Sequence, residues 1–167
     1  MNISDQKLRN DRLVFYAQDV DLLDQELDGF LELSGARCAL LIDREDHLVT
    51  RRGEAASTSV DSLSALTAGS FAATKQMAQL LGEEEFSTLA HQGERQSIQV
   101  TLVGERTLLA IVWDERTNLG LIRFYAQETA RRLSATFEDI AVRPTPEGEE
   151  LADDYSSQAS QALDDLF

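Results

Sequence analysis

The chain has 167 residues, 43% of them apolar, with 30 acidic against 15 basic residues and a formal net charge of -15 at neutral pH. This length suits one domain with a core and some tail. No apolar run approaches the ~18–20 residues that cross a bilayer, and so negative a surface repels phosphate backbones and anionic lipids. Nucleic acid and direct membrane insertion are thereby excluded as expectations, and a partner with a basic face is favoured.

The acid is unevenly placed, since residues 143–167 hold seven acids and one base. The opening MNISDQKLRNDR lacks the apolar stretch of a signal peptide, so a cytoplasmic location is expected. Cys38 is the only cysteine, which leaves no internal disulfide to form. Set in an apolar run, it reads as an inert buried thiol.

In chain order, residues 1–12 read as a flexible N-terminus, residues 13–142 as the folded domain, and residues 143–167 as an acidic flexible tail. Leu13-Val14-Phe15-Tyr16 is a short apolar run able to pair or pack. A helix is expected from about Asp19 to Leu33, because Val20, Leu23, Leu27, Phe30 and Leu31 recur at steps of three and four. Asp19 and Asp21 suit its positive end and Gly35 its stop. Two strands follow, Cys38–Ile42 and Leu48–Thr50, joined by the polar tetrad Asp43 to Asp46 as an antiparallel hairpin. Leu40-Leu41-Ile42 is continuous rather than alternating, as in a strand covered on both faces.

After the small, polar segment 53–59, Ser59 or Asp61 caps a second helix running to about Leu81, with Gly82 as its stop. One face of it carries Leu63, Leu66, Ser70, Ala73, Met77 and Leu80. A second face is slim: Ala65, Ala68, Gly69, Ala72 and Ala73. Slimness admits two readings, close packing on the chain's own sheet or close approach of another subunit, and one helix can do both. Three further strands are expected at Phe86–His91, Ser97–Val103 and Leu108–Trp113, joined by short turns into an antiparallel meander. Thr117 or Asn118 caps a last helix from Leu119 to Ile140, its buried stripe being Ile122, Ala126, Thr129, Leu133, Phe137 and Ile140. The order α-β-β-α-β-β-β-α satisfies every apolar face as a three-layer α+β sandwich, a central five-stranded antiparallel sheet with helices on both sides.

Catalytic chemistry is not evident. His47 and His91 have no partner at a workable spacing, Asp43 and Asp46 read as turn residues, and no zinc, calcium or phosphate-cradling motif is present. No enzyme activity, metal or cofactor is therefore expected. Arg51, Arg52, Arg95, Arg106, Arg116 and Arg123 are able in principle to enter another protein's nucleotide site, though surface charge or structural ion pairing is the commoner use. The tail closes on Leu163-Asp164-Asp165-Leu166-Phe167, where one helical turn aligns Leu163, Leu166 and Phe167. That pattern of apolar anchors and carboxylates suits a motif that folds on a partner.

The order of elements, together with specific segments, resembles the roadblock/dynein light chain family and its bacterial MglB-like branch of gliding motility and cell polarity. The segments are Leu13 to Tyr16, Gly35 to Asp43, Leu66 to Thr74, Leu80 to Glu83, His91 to Arg95, Thr117 to Arg123, and the closing Leu163 to Phe167. The resemblance implies a roadblock/profilin-like fold and a homodimer paired through the second helix and third strand. It also implies a Ras-like MglA-type small GTPase as partner, with GTP hydrolysis accelerated by repositioning the GTPase's own switch and catalytic groups. Further implications are a cytoplasmic protein concentrated at a cell pole, partner docking at Ala65, Ala68, Gly69 and Ala72, and a second contact through Leu163, Leu166 and Phe167 that modulates nucleotide exchange. Phe71 is larger than the small residue this pattern expects there. The rivals are a roadblock scaffold that leaves hydrolysis unchanged and a small-molecule sensor of related topology, which needs a ligand-sized cavity.

Overall fold

A computed structural model describes residues 17–54 and 60–142. The run Leu13 to Tyr16, the cap Ser59 and the whole tail, with Leu163, Leu166 and Phe167, lie outside the described residues. The elements are α1 (Ala17–Ser34), β1 (Cys38–Asp43), β2 (Leu48–Gly53), α2 (Val60–Leu80), β3 (Thr88–Gln92), β4 (Gln96–Val103), β5 (Thr107–Asp114) and α3 (Leu119–Val142). They form one antiparallel five-stranded sheet in the order β2-β1-β5-β4-β3. This is the α-β-β-α-β-β-β-α sandwich expected from the sequence.

The sheet separates two apolar layers. On one side, Leu23, Leu27 and Phe30 of α1 and Ile122, Leu133 and Phe137 of α3 pack on Leu41, Leu109 and Ile111. On the other, Ala68 and Phe71 of α2 pack on Leu40, Ile42, Val100, Leu108 and Ala110. β1 and β5 are buried on both faces, which is why their sequences run apolar without alternation. β4 alternates instead: Ile98, Val100 and Leu102 point to α2, while Gln99, Thr101 and Val103 point away from it.

Local chemistry places the ends. Gly35, at φ +75°, stops α1 and donates its N–H to the Leu31 carbonyl at 3.1 Å. Asp43 organises the hairpin turn by accepting the N–H of Glu45 at 2.8 Å and of His47 at 3.1 Å, with Asp46 left-handed at φ +70°. The Asn118 carboxamide oxygen caps α3 by accepting the Leu121 N–H at 3.0 Å, whereas the Thr117 hydroxyl donates to the Ser34 carbonyl at 2.6 Å and ties α3 to α1.

Gly53 closes the β1–β2 ladder at φ +92°, and a Cβ there would sit 2.3 Å from the Arg37 carbonyl oxygen. Neither backbone nor conformation leaves room for a side chain. Gly53→Ala is expected to lower stability by about 1–3 kcal/mol, measured by chemical denaturation; an unchanged midpoint would contradict this account of the turn.

The two sheet edges are unlike. β2 is strapped to α1: Arg52 donates to both oxygens of Asp28 at 2.8 and 2.9 Å, and the Thr50 hydroxyl donates to Asp24 at 2.5 Å. The Arg52 hydrogen bond holds the Asp28 carboxyl below its ordinary pKa. β3 pairs with β4 alone, leaving its outer edge without a strand among the described residues.

Candidate functional site

The second helix, α2, is 21 residues long and has two unlike sides. Its inward side is Ser64, Thr67, Ala68, Phe71 and Ala78, all buried, with Val60 and Leu63 beside them. Ala68 is 6% exposed and packs on its own sheet. In the single subunit Ala68 therefore belongs to the layer beneath the helix, and Ala65, Gly69 and Ala72 of the same small-residue set stand outside it. Phe71, the departure from the family pattern, is the large side chain that plugs this layer, and it sets which way the helix faces.

The outward side is different. Leu66 is 72% exposed and Leu80 88%, and Met77 is exposed with them. Ser70 and Ala73 lie between these residues; Ser70 is exposed and so is Ala73. The face Leu63, Leu66, Ser70, Ala73, Met77 and Leu80, read from periodicity as one stripe, is thus a largely solvent-facing stripe from Leu66 onward, with Leu63 alone packed against the core. Ala65, Gly69 and Ala72 are exposed as well. At about 100° per residue, Ala65 and Ala72 form a small-residue flank roughly a quarter-turn from the apolar stripe. At Gly69 a Cβ would touch nothing within 4 Å, so space and not crowding surrounds it.

The helix stops abruptly. Gly82, at φ +84°, donates to the Gln79 carbonyl at 3.1 Å, and Glu83 donates to the Ala78 carbonyl at 2.9 Å. These two bonds form a Schellman ending. It leaves Leu80 and Leu81 projecting at the tip beside Glu83 and Glu84, both exposed. A soluble domain rarely presents so continuous an apolar line unless something covers it.

The candidate chemical groups are not brought together. His47 sits in the hairpin with its Nδ1 3.3 Å from Asp43, and His91 lies exposed on β3. No group of three metal-ligating side chains exists among the described residues, and no helix there is long and apolar enough to cross a membrane. Of the arginines considered as entering groups, Arg52 pairs with Asp28 and Arg116 with Asp114 at 3.1 Å, so these two are structural ion pairs. Arg51, Arg95 and Arg123 are exposed. Burial pushes the Cys38 thiol pKa up, against the opposing charge of Arg37, which suits an inert group.

One cavity of about 390 Å³ opens between the first turn of α2 and the sheet, lined by Cys38, Leu40, Val60, Leu63, Ile98 and Val112, with Arg37 and Glu54 at its rim. Sequence reading missed it, because Val60 and Leu63 look like ordinary core positions. Arg37 lies 3.9 Å from Glu54 and 3.7 Å from Asp114, so the rim charges face one another.

Comparison with known proteins places this architecture. The sequence model of the Roadblock/LC7 domain matches residues 22–112, more than half of the chain. The chain belongs to the Roadblock/LC7 family.

Within that family it is MglB-like. The gliding protein MglB of Thermus thermophilus is 35% identical and superimposes with a TM-score of 0.71, covering 75% of this chain and 96% of that one. A structure described as MglB with tetrameric arrangement is also 35% identical, at a TM-score of 0.72 over 76% of this chain and 96% of that one. MglB of Myxococcus xanthus is 32% identical at a TM-score of 0.68, covering 71% and 96%. A Roadblock/LC7 domain from Streptomyces avermitilis, 14% identical at a TM-score of 0.63, shares the fold. No curated protein matches the sequence. The Roadblock/LC7 match runs from α1 through most of β5 and so includes α2, with both its buried side and its exposed stripe.

Proposed function

We propose that this chain is a non-catalytic GTPase-activating protein for a Ras-like, MglA-type small GTPase and that it acts as a homodimer in gliding motility and cell polarity. The observation that carries the reading is α2. It shows an uncovered apolar stripe, Leu66 to Leu80, beside a flank of small residues, on the side of the sheet whose β3 edge is open among the described residues. Two copies joined by that stripe and that edge bury the apolar line and leave the Ala65, Gly69 and Ala72 flank at the border of a composite surface. The likeness to MglB proteins at 32–35% identity supports the same assignment.

Regulation without a catalytic residue of its own fits the chemistry. GTP hydrolysis needs an oriented water, a metal ion and charge stabilisation at the γ-phosphate, and a GTPase that holds these groups in its own chain needs only to have them aligned. A regulator accelerates the step by binding the hydrolysis-competent arrangement of the GTPase more tightly than its resting one. In this reading Leu163, Leu166 and Phe167 make a second contact on the GTPase that modulates nucleotide exchange, and the protein acts at a cell pole in the cytoplasm.

The test is GTP turnover by the cognate GTPase with this chain in molar excess. Acceleration of tenfold or more, equivalent to ~1.4 kcal/mol of barrier, is expected. Binding without acceleration would leave the scaffold reading in its place. The cavity beside Val60 favours a second reading as a small-molecule sensor, since its volume falls in the range of ligand sites, about 300–1,000 Å³. A metabolite that binds the chain alone and shifts its melting temperature would support it.

A further inference from the structure

The exposed stripe of α2 and the cavity beside its first turn belong to one line of residues. Leu63, Leu66, Ser70, Ala73, Met77 and Leu80 follow one another at steps of three, four, three, four and three. That alternation is the seam by which one helix seats its side chains between those of another. On a surface helix such a stripe ordinarily lies against the core, but here the core side is Ser64, Thr67, Ala68, Phe71 and Ala78. The first member of the seam, Leu63, is half-buried and walls the cavity of about 390 Å³ together with Val60, Leu40 and Ile98. The last member, Leu80, projects into solvent at 88% exposure. One end of the seam is a hole with no knob, and the other is a knob with no hole.

We propose that α2 pairs antiparallel with α2 of a second copy, in the one register that sets Leu80 of each copy into the cavity of the other. This rests on the homodimer of the proposed function. It adds the register of the two helices and the occupant of the cavity, which becomes a socket for a leucine and not a site for a small molecule.

The register follows from the order of side chains along the seam. About a two-fold axis at its midpoint, between Ser70 and Ala73, Leu63 meets Leu80 of the other copy, Leu66 meets Met77, and Ser70 meets Ala73. The small pair falls at the centre, where the backbones come closest, and the large pairs lie to either side. Leu66, Ser70, Ala73, Met77 and Leu80 are all exposed in the single subunit, so the pairing covers them. Such an interface is isologous, so each cavity is entered once and each Leu80 is used once. Parallel pairing would set Leu80 on Leu80 and leave both cavities open. It would also bring the exposed Glu83 and Glu84 of the two helix exits together, like charge against like. Antiparallel pairing holds those exits at opposite ends.

Sedimentation equilibrium of the full chain and its variants tests this. Leu66→Glu and Met77→Lys alter exposed side chains, and each is expected to weaken self-association of its own chain by about tenfold or more, because the new charge meets an apolar side chain twice in every dimer. Mixed in equal amounts, the two variants are expected to pair about tenfold more tightly than either does alone, because the carboxylate then faces the ammonium while Met77 faces Leu66. Leu80→Ala is expected to weaken the parent association by about tenfold or more with an unchanged circular dichroism spectrum. A mixture no tighter than its components overturns the register. A Leu80→Ala chain that dimerises like the parent overturns the socket and gives the cavity another occupant, a small molecule or a segment of the same chain. Neither result touches the GTPase reading, which GTP turnover judges. A chain that pairs in this register without accelerating turnover overturns that reading and upholds the register.

Discussion

Replacing Ala68 by arginine is expected to cost the fold at least about 3 kcal/mol, whereas Ala72→Arg costs it almost nothing. The two residues lie four apart on α2 and differ only in direction. Ala68 sits at 6% exposure in the layer with Leu40, Ile42, Val100, Leu108 and Ala110, an apolar setting for a guanidinium. Arginine there must either bury a charge or push α2 off the sheet. For a domain of this size the loss corresponds to a fall in melting temperature of roughly 6–12 °C. Ala72 is exposed, so arginine is accommodated in solvent. If the small flank docks the GTPase, Ala72→Arg and Ala65→Arg abolish the acceleration of GTP turnover in a protein that melts normally. Loss of acceleration in both Ala68→Arg and Ala72→Arg, with only the former melting early, is the expected pattern. A normally folded Ala68→Arg chain would mean that α2 packs on the sheet through another face.

Met77→Glu combined with Leu80→Glu is expected to halve the mass of the α2-linked species and to remove the GTPase response with it. Both side chains stand on the uncovered stripe, Leu80 at 88% exposure, so carboxylates there cost the isolated subunit little. Across a two-fold axis each new charge meets an apolar or like-charged surface and must lose its water without a partner, and truncations or charges at such central positions often cost several kcal/mol. The circular dichroism spectrum should keep its helix and strand content. A chain that stays paired after both substitutions would place the interface somewhere other than α2.

Much of the fold was legible because each element has a single strong signal. Leu23, Leu27 and Phe30 mark the inward side of α1, and Ile122 through Ile140 that of α3; each buries the stripe its periodicity names. The continuous Leu40-Leu41-Ile42 announced a strand covered twice. α2 was not legible in the same way. Ser64, Thr67, Ala68, Phe71 and Ala78 make a sheet-facing stripe weaker in hydrophobicity than the one exposed through Leu66, Met77 and Leu80. A period of 3.6 finds stripes but does not say which neighbour covers each, and here the more apolar stripe faces outward. The strand order was open for a related reason: β1 and β5 both read as central, and only the pairing of Leu41 with Leu109 makes them neighbours.

The unlike edges of the sheet set a limit on growth. A protein with two open edges polymerises into a ribbon, the route by which strands seed insoluble aggregates. Here Arg52, clamped to Asp28, and the hydroxyl of Thr50 on Asp24 lash β2 beneath α1, while Arg51 stands exposed along it. β2 and β3 are the two edge strands, and of the two it is β2 that carries these side-chain straps to α1. When two such sheets meet at β3, the merged sheet ends at both extremities in a tethered, charged β2 margin, the kind of edge that discourages a third from joining.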